Sequence, residues 1–236
     1  MKKLILTFLA IFVVVVFSDA QTLDEVLTKH FKAVGQEKLV DVKTFVIQAK
    51  VSQMGMELPM EMKIKRPGKF RLDMDMQGQK MVQAFDGEDG WMIAPWVSPE
   101  PQDLAGDQLS QAKSQADMEG ELYNYKAKGH TVDFIGKVKM DDKEVYHIKL
   151  ASEDGNVRNY FINAETYLIS KVKAKVSAIG QTVEVEQRMM DYKEIDGIKI
   201  AMKIESDSPM GTAMVIMENI NINIEIEDSV FKRPSK

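Results

Sequence analysis

The sequence contains no cysteine. That excludes a disulfide framework, a thiolate metal site and a catalytic thiol, and it leaves no lipobox residue for a lipid anchor of the chain's own. Histidine is scarce. The three present, His30, His130 and His147, are too scattered to pair at metal-ligand spacing, so neither a metal nor a cofactor is implied. No G-x-S-x-G elbow or comparable nucleophile motif occurs, and the sequence is read as that of a non-enzyme. Repeats, low-complexity segments and interdomain linkers are missing too. The formal charge of −5 is too mildly acidic for a nucleic-acid binder or for polybasic docking on a membrane.

Long apolar runs are confined to the start. Lys2 and Lys3 precede an unbroken stretch from Leu4 to Phe17 in which Thr7 is the one polar residue, and Ser18-Asp19-Ala20 supplies the small residues of a cleavage site. This reads as a secretory signal peptide over residues 1–20, cut after Ala20. The run falls short of the roughly 20 apolar residues of a membrane span. The remainder, 21–236, is expected to be one soluble, monomeric domain in the periplasm, with a formal charge of −6 once Lys2, Lys3 and Asp19 are gone.

What the mature part does contain is alternation. Leu58, Met60, Met62 and Ile64 share one parity, with Glu61, Lys63 and Lys65 on the other. After Pro67-Gly68 the pattern resumes with Phe70, Leu72, Met74 and Met76 against Lys69, Arg71, Asp73 and Asp75. Successive strand residues face opposite ways, so each strand has an apolar and a polar side. Arg66 has the apolar parity. A cation there requires a partner or an exit to water, so it is either a latch on a covering element or a side chain snorkelling at the sheet edge.

Further strands are expected at 44–53, 57–66, 69–76, 79–86 and 90–94, and again at 131–140, 143–151, 156–163, 167–177, 181–192, 198–206 and 212–227. Asp141-Asp142, Asp154-Gly155-Asn156, Ile179-Gly180 and Asp196-Gly197 supply turn chemistry. Thr22 to Gly35 reads as a helix with a Thr cap, an acidic first turn and a glycine stop, and carries the stripe Leu23, Val26, Leu27, His30, Phe31 and Val34. Ser98-Pro99-Glu100-Pro101 reads as a loop. Residues 103–125 read as a partly helical insert, with Asp107 as its cap.

About a dozen antiparallel strands with two helical segments give a mainly β, α+β protein. A sheet of that size must curl or split. The apolar face has little to cover it, which favours an incompletely closed antiparallel half-barrel with an N-terminal helix and a central helical lid. Candidate lining residues are Met60, Met62, Ile64, Phe70, Leu72, Met74 and Trp91. The 17 methionines suit an adaptable binding surface, and an ordinary core is the alternative. Trp91 and Trp96 could sit at a cavity mouth or fill the core. Asp86-Gly87-Glu88-Asp89-Gly90 lacks the spacing of a calcium loop and reads as a solvated hairpin tip.

The stretch Ile64-Lys65-Arg66-Pro67-Gly68-Lys69-Phe70, the Met-rich strand after it, and Asp86-Gly87 leading to Trp91 resemble the periplasmic carriers that sort lipoproteins to the bacterial outer membrane, the LolA-like family. The ending Ile226-Glu227-Asp228-Ser229-Val230-Phe231 looks like a branch of that group common in Bacteroidetes-type bacteria. The resemblance implies a half-barrel lidded by helices around a cavity for acyl chains of lipoproteins or lipids. It implies that Arg66 bonds to the lid and that Phe70 lies inside. An inner-membrane transporter and an outer-membrane acceptor are the implied partners. Leu72 departs from the Trp of the best-known members. An envelope sensor with the same fold is the alternative function, and an uncharacterised secreted hydrolase a second.

Overall fold

The computed structural model describes residues 21–153, 155–178, 181–209 and 211–234. The expected signal peptide, its cleavage point, Asp154 and the Ile179-Gly180 turn lie outside them.

Thirteen strands form one antiparallel sheet: β1 (Thr44–Gln53), β2 (Met56–Lys65), β3 (Lys69–Met76), β4 (Gln79–Phe85), β5 (Gly90–Ala94), β6 (Ser98–Asp103), β7 (Thr131–Met140), β8 (Lys143–Ala151), β9 (Val157–Asn163), β10 (Ile169–Ala178), β11 (Gln181–Ile195), β12 (Ile198–Ser208) and β13 (Gly211–Ile222). Neighbours in space are neighbours in sequence except at one seam, where β1 pairs with β13. The free edges are β6 and β7, so the sheet curls without closing, as expected of a half-barrel. Two-residue hairpins set the meander: Asp141 and Asp142 (φ 48° and 62°) and Asp196 and Gly197 (φ 50° and 78°) both adopt the left-handed pair that matches strand twist.

Three helices complete the fold: α1 (Leu23–Val34), α2 (Gln36–Leu39) and α3 (Gly106–Ala116). Thr22 and Glu25 form a reciprocal capping box, and Gly35 ends α1 in the left-handed conformation. A Cβ at Gly35 would collide with the Gly197 carbonyl, so glycine also lets the helix end abut the β11–β12 turn. Val26, Leu27 and His30 are the buried part of the expected stripe.

Several expectations need correction. Ser98–Asp103 is a strand rather than a loop; as an edge strand, β6 tolerates Pro99 and Pro101, whose missing N–H groups interrupt no central ladder. Only 106–116 of the insert is α-helical. It starts after Ala105, and Asp107 lies in its first turn rather than capping it. The last strand stops at Ile222, where Asn223 turns the chain with φ 60°. Within that strand the isoleucines lie on both faces. The register slips between Gln48 and Ala49, so Met217 and Val215 join Ile220 and Ile222 inside while Ile216 points out.

Beyond Ile222 the chain crosses the convex side of the sheet as a strap. Thr44 Oγ1 donates to the Ile224 carbonyl (2.6 Å), Lys65 Nζ to that of Ile226 (2.6 Å), Arg71 to that of Val230 (2.7 Å) and the Trp91 indole to that of Phe231 (2.9 Å). Lys65 and Lys69 both pair with Asp228 at 2.6 Å, and these bonds hold its carboxyl down at about 2. Phe231 is fully buried. On the convex side of β10–β12, Lys171, Lys173, Glu186, Arg188, Glu205 and Asp207 form a charge network.

Candidate functional site

The concave face holds the apolar parity of the first strands. Register places Phe45, Ile64, Phe70 and Phe85 in one row across β1–β4, and Ala49, Met60, Met74 and Met81 in another. Two clusters on this face are covered by helical segments. One joins Phe45, Ile47, Ile64, Phe70, Phe85, Ile198 and Ile220 to Leu104, Ala112 and Ala116 of the insert. The other packs Val26 and Leu27 of α1 on Tyr146, Ile148, Leu150, Tyr160, Ile162 and Val172.

The insert can lie close because the sheet makes room. A Cβ at Gly90 would come within 2.9 Å of Leu104 and 3.0 Å of Leu109. α3 touches β3, β4 and also β10, so it bridges the two sides of the half-barrel. Between α1, α2, residues 117–122 and the floor of the sheet lies a cavity of about 370 Å³. Val34, Leu39, Phe45, Ile47, Ile64 and Leu122 give it apolar walls, and His30 and Tyr192 reach its margin. His30 donates to the Tyr167 carbonyl (2.8 Å). Burial lowers its pKa against that bond, keeping the ring neutral beside the cavity.

Arg66 fastens the cover. Its Nε donates to the Val42 carbonyl (2.7 Å), one terminal nitrogen to that of Leu39 (3.2 Å), and the other to Glu119 Oε1 (2.9 Å). One guanidinium thus ties the β2–β3 corner both to the turn after α2 and to the insert. Gln36 adds a bond to the Glu119 carbonyl (3.2 Å). The insert is also held from the far side. Glu121 accepts from Ser114 (2.8 Å), Tyr160 (2.8 Å) and Arg158. Burial, reinforced by the Glu121 charge, keeps the Tyr160 phenol well above its ordinary pKa, so it remains a donor. Lys128 meets Asp117 at 2.6 Å. These groups border a polar cleft of about 780 Å³ between α3 and β9–β11.

Of the seven residues expected to line a cavity, Ile64 borders this one directly. Phe70 is wholly buried beneath α3. Met60, Met62, Leu72 and Met74 continue the apolar wall away from the cavity, with Val51, Leu58 and Val215, in a cluster that contains no helix residue. Trp91 is a correction. It pairs with Ala84, which aligns with Arg71, and so belongs to the polar parity. It is buried to 2% exposure on the convex side under the strap, in a patch with Val82, Ala84 and Ile93. Trp96 is 52% exposed at the β5–β6 turn. Asp86 is occupied by the backbone N–H groups of Glu88 and Asp89, as a hairpin tip requires. His147 stacks on Phe161 and bonds Asn159 (2.9 Å), distant in role from the other two histidines.

Sequence reasoning missed Leu39, Phe45, Ile47 and the 117–122 turn as lining. Phe45 and Ile47 had the right parity in β1 and were legible. The 117–122 turn has no periodic pattern to reveal it.

No family model and no curated protein sequence matches the chain. Solved structures do. A LolA superfamily protein from Nitrosomonas europaea superposes with a TM-score of 0.60 at 14% identity, over 90% of this chain and 98% of that one. A DUF1329 family protein from Desulfovibrio piger gives 0.59 at 14% identity, over 88% and 97%. A domain described as outer membrane lipoprotein-sorting, from Vibrio parahaemolyticus, gives 0.58 at 12% identity, over 87% and 97%. The fold is LolA-like.

Proposed function

We propose that the protein is a non-catalytic periplasmic carrier that takes acyl chains of lipoproteins or lipids against the concave face. The observation that carries this reading is continuity: Phe45, Ile47 and Ile64, which border the cavity, belong to a packed cluster that shares Met62, Leu72 and Met217 with the methionine wall, so the apolar surface runs on past the cover. A cavity of about 370 Å³ falls within the size range of small-molecule sites. Burial rewards each methylene by about 0.8 kcal/mol without regard to direction. Methionine side chains reshape around chains of different length. A similar fold described as an outer membrane lipoprotein-sorting domain agrees with this chemistry.

In this reading Met60, Met62, Ile64, Phe70, Leu72 and Met74 contact the chains as the cover lifts, and Arg66 sets the balance between covered and open forms. Loading from an inner-membrane transporter and delivery to an outer-membrane acceptor complete the cycle. Native mass spectrometry of protein purified from its own envelope, followed by lipid extraction, is the test. A lipid or lipoprotein released from the protein supports carriage, and a consistently empty protein rejects it. Recovery of a signalling protein instead would favour the sensor.

A further inference from the structure

We propose that the uncharged rim of the half-barrel docks on a bilayer of zwitterionic headgroups. The proposal builds on the carrier reading but is tested apart from it.

In an antiparallel meander alternate turns fall at opposite ends of the sheet. At one end lie Lys65 to Lys69, Asp86 to Asp89, Asp141-Asp142 and Asp196-Gly197, all but the last rich in charge. At the other end lie Gln53 to Met56, Gln77-Gly78, Pro95 to Val97, and Pro209 with Gly211. These four tips carry no formal charge among the described residues. Glu153, in the β8–β9 turn, is a charge at that end, and it stands on the side away from the methionine wall. The next charges along the strands are Glu57, Asp75, Lys80 and Asp207, all of convex parity, and Glu100 on the edge strand β6, which shares the parity of Gln102 and Met92.

Four exposed large apolar residues lie at this end: Met54 at 78%, Val97 at 76%, Trp96 at 52% and Met56 at 41%, the first two the most exposed among the described residues. Folding does not account for them. Met54 has φ 50°, an uncommon conformation for a residue with a long side chain, and buries little in return. A hairpin tip in water would be better served by Asn or Asp.

A bilayer suits this rim better than a protein groove does. The apolar groups sit on separate tips, with no shared pocket or ridge to dictate a shape. Tryptophan and methionine adapt to the headgroup boundary, where an apolar body and a polar atom are both satisfied. The rim's neutrality matches zwitterionic lipid, whereas the chain's negative charge opposes anionic lipid. The geometry is also continuous. Val51, Leu58, Met74 and Met76 lead from these tips down the apolar wall, so an acyl chain could leave a bilayer without crossing water.

Trp96 is the natural reporter, since Trp91 is buried. The purified protein is mixed with phosphatidylethanolamine–phosphatidylcholine vesicles whose acyl chains are brominated. Docking predicts a blue shift of Trp96 emission and quenching by bromine. Met54→Asp combined with Val97→Asp should weaken partitioning by about ten-fold or more, since two apolar side chains are lost from the bilayer contact. Ile135→Asp, at an exposed site on the edge strand β7, should behave as wild type. Absence of quenching in the wild type, or equal loss in Ile135→Asp, overturns the proposal. A soluble fluorescent fatty acid reports the cavity separately. Docking without fatty-acid binding would leave the rim proposal standing and remove the carrier; binding without docking would do the reverse.

Discussion

The two walls of the concave face are built by one sheet with one geometry, yet their chemistry differs: one is wholly apolar, the other mixes polar groups with the apolar cluster under α1. On β1–β3 and β13 the inward residues are Ala49, Val51, Leu58, Met60, Met74 and Val215, with no charge among them. On β9–β12 the inward row includes Arg158, Gln187 and Ser206, and Gln187 reaches Ser206 at 3.4 Å. The apolar wall offers surface. The polar wall offers fixed points, of which Glu121 with Arg158 and Tyr160 is the strongest. The cover is therefore anchored by bonds on one side and rests on hydrocarbon on the other. On the apolar side the directional holds are the Arg66 guanidinium and the backbone bond from the Leu104 N–H to the Gly90 carbonyl (2.8 Å).

The comparison can be broken most forcefully at Phe70. Phe70→Ala should cost about 3–5 kcal/mol in denaturant unfolding, because the side chain is fully buried between sheet and insert. A loss below about 1 kcal/mol would mean that the apolar wall is not a packed support. On the polar wall, Glu121→Ala should cost about 3 kcal/mol, since it strands Arg158 and Tyr160 in a largely buried site. Substituting both Glu121 and Arg158 by Met should recover much of that stability, and a failure to recover would show that the pair is more than a mutual neutralisation.

Arg66→Leu separates anchoring from folding. Leucine suits the apolar parity, so unfolding should shift little, while a hydrogen bond to a charged group is worth about 1.5–3 kcal/mol. Hydrogen exchange in residues 117–122 should speed by about ten-fold or more, and a bound fluorescent fatty acid should be released poorly because the open form is over-populated. Wild-type exchange and release would remove the latch.

The smallest effects are expected in acid, outside the concave face. For Glu186 burial disfavours the charge, but hydrogen bonds from Lys171 and Lys173 outweigh it and hold the carboxyl at about 2. Asp228 is held at about 2 by Lys65 and Lys69. Both folded values lie below the ordinary ones. Their stabilisation is therefore complete above about pH 4.5 and fades as pH falls towards about 2. Strap loosening should expose Trp91, read as a red shift of its emission in a Trp96→Phe background. Asp228→Asn should abolish the pH dependence of that shift. An unchanged shift would place the acid-sensitive contact elsewhere.

Much of the architecture was legible because its causes are local. Thr22, Glu25 and Gly35 announce α1, and the paired turn residues at Asp141-Asp142 and Asp196-Gly197 fix strand ends to within a few positions. Alternation from Leu58 to Met76 identified the methionine wall. What failed depends on distant partners. Trp91 looked like cavity lining until register put it opposite Ala84 and the strap covered it. The slip beside Ala49 re-aimed β13. On the other wall Arg158, Gln187 and Ser206 interrupt an inward row that is otherwise apolar, and nothing in their spacing marks them as anchors; nor does anything near Arg66 in sequence point to Glu119.

The β1–β13 seam also bears on how the molecule is made. Every other strand pair joins consecutive elements, so the meanders from β1 to β6 and from β7 to β13 can assemble from contacts close along the chain. Joining them requires residue 45 to meet residue 222, a closure that contributes little until most of the pairing is in place. Until that moment the first meander presents a broad methionine surface to its surroundings with an unpaired edge beside it. The newly made chain is then most prone to stick to other chains. Seam closure, rather than any hairpin, is the step at which a folding helper in the same compartment would have most to gain.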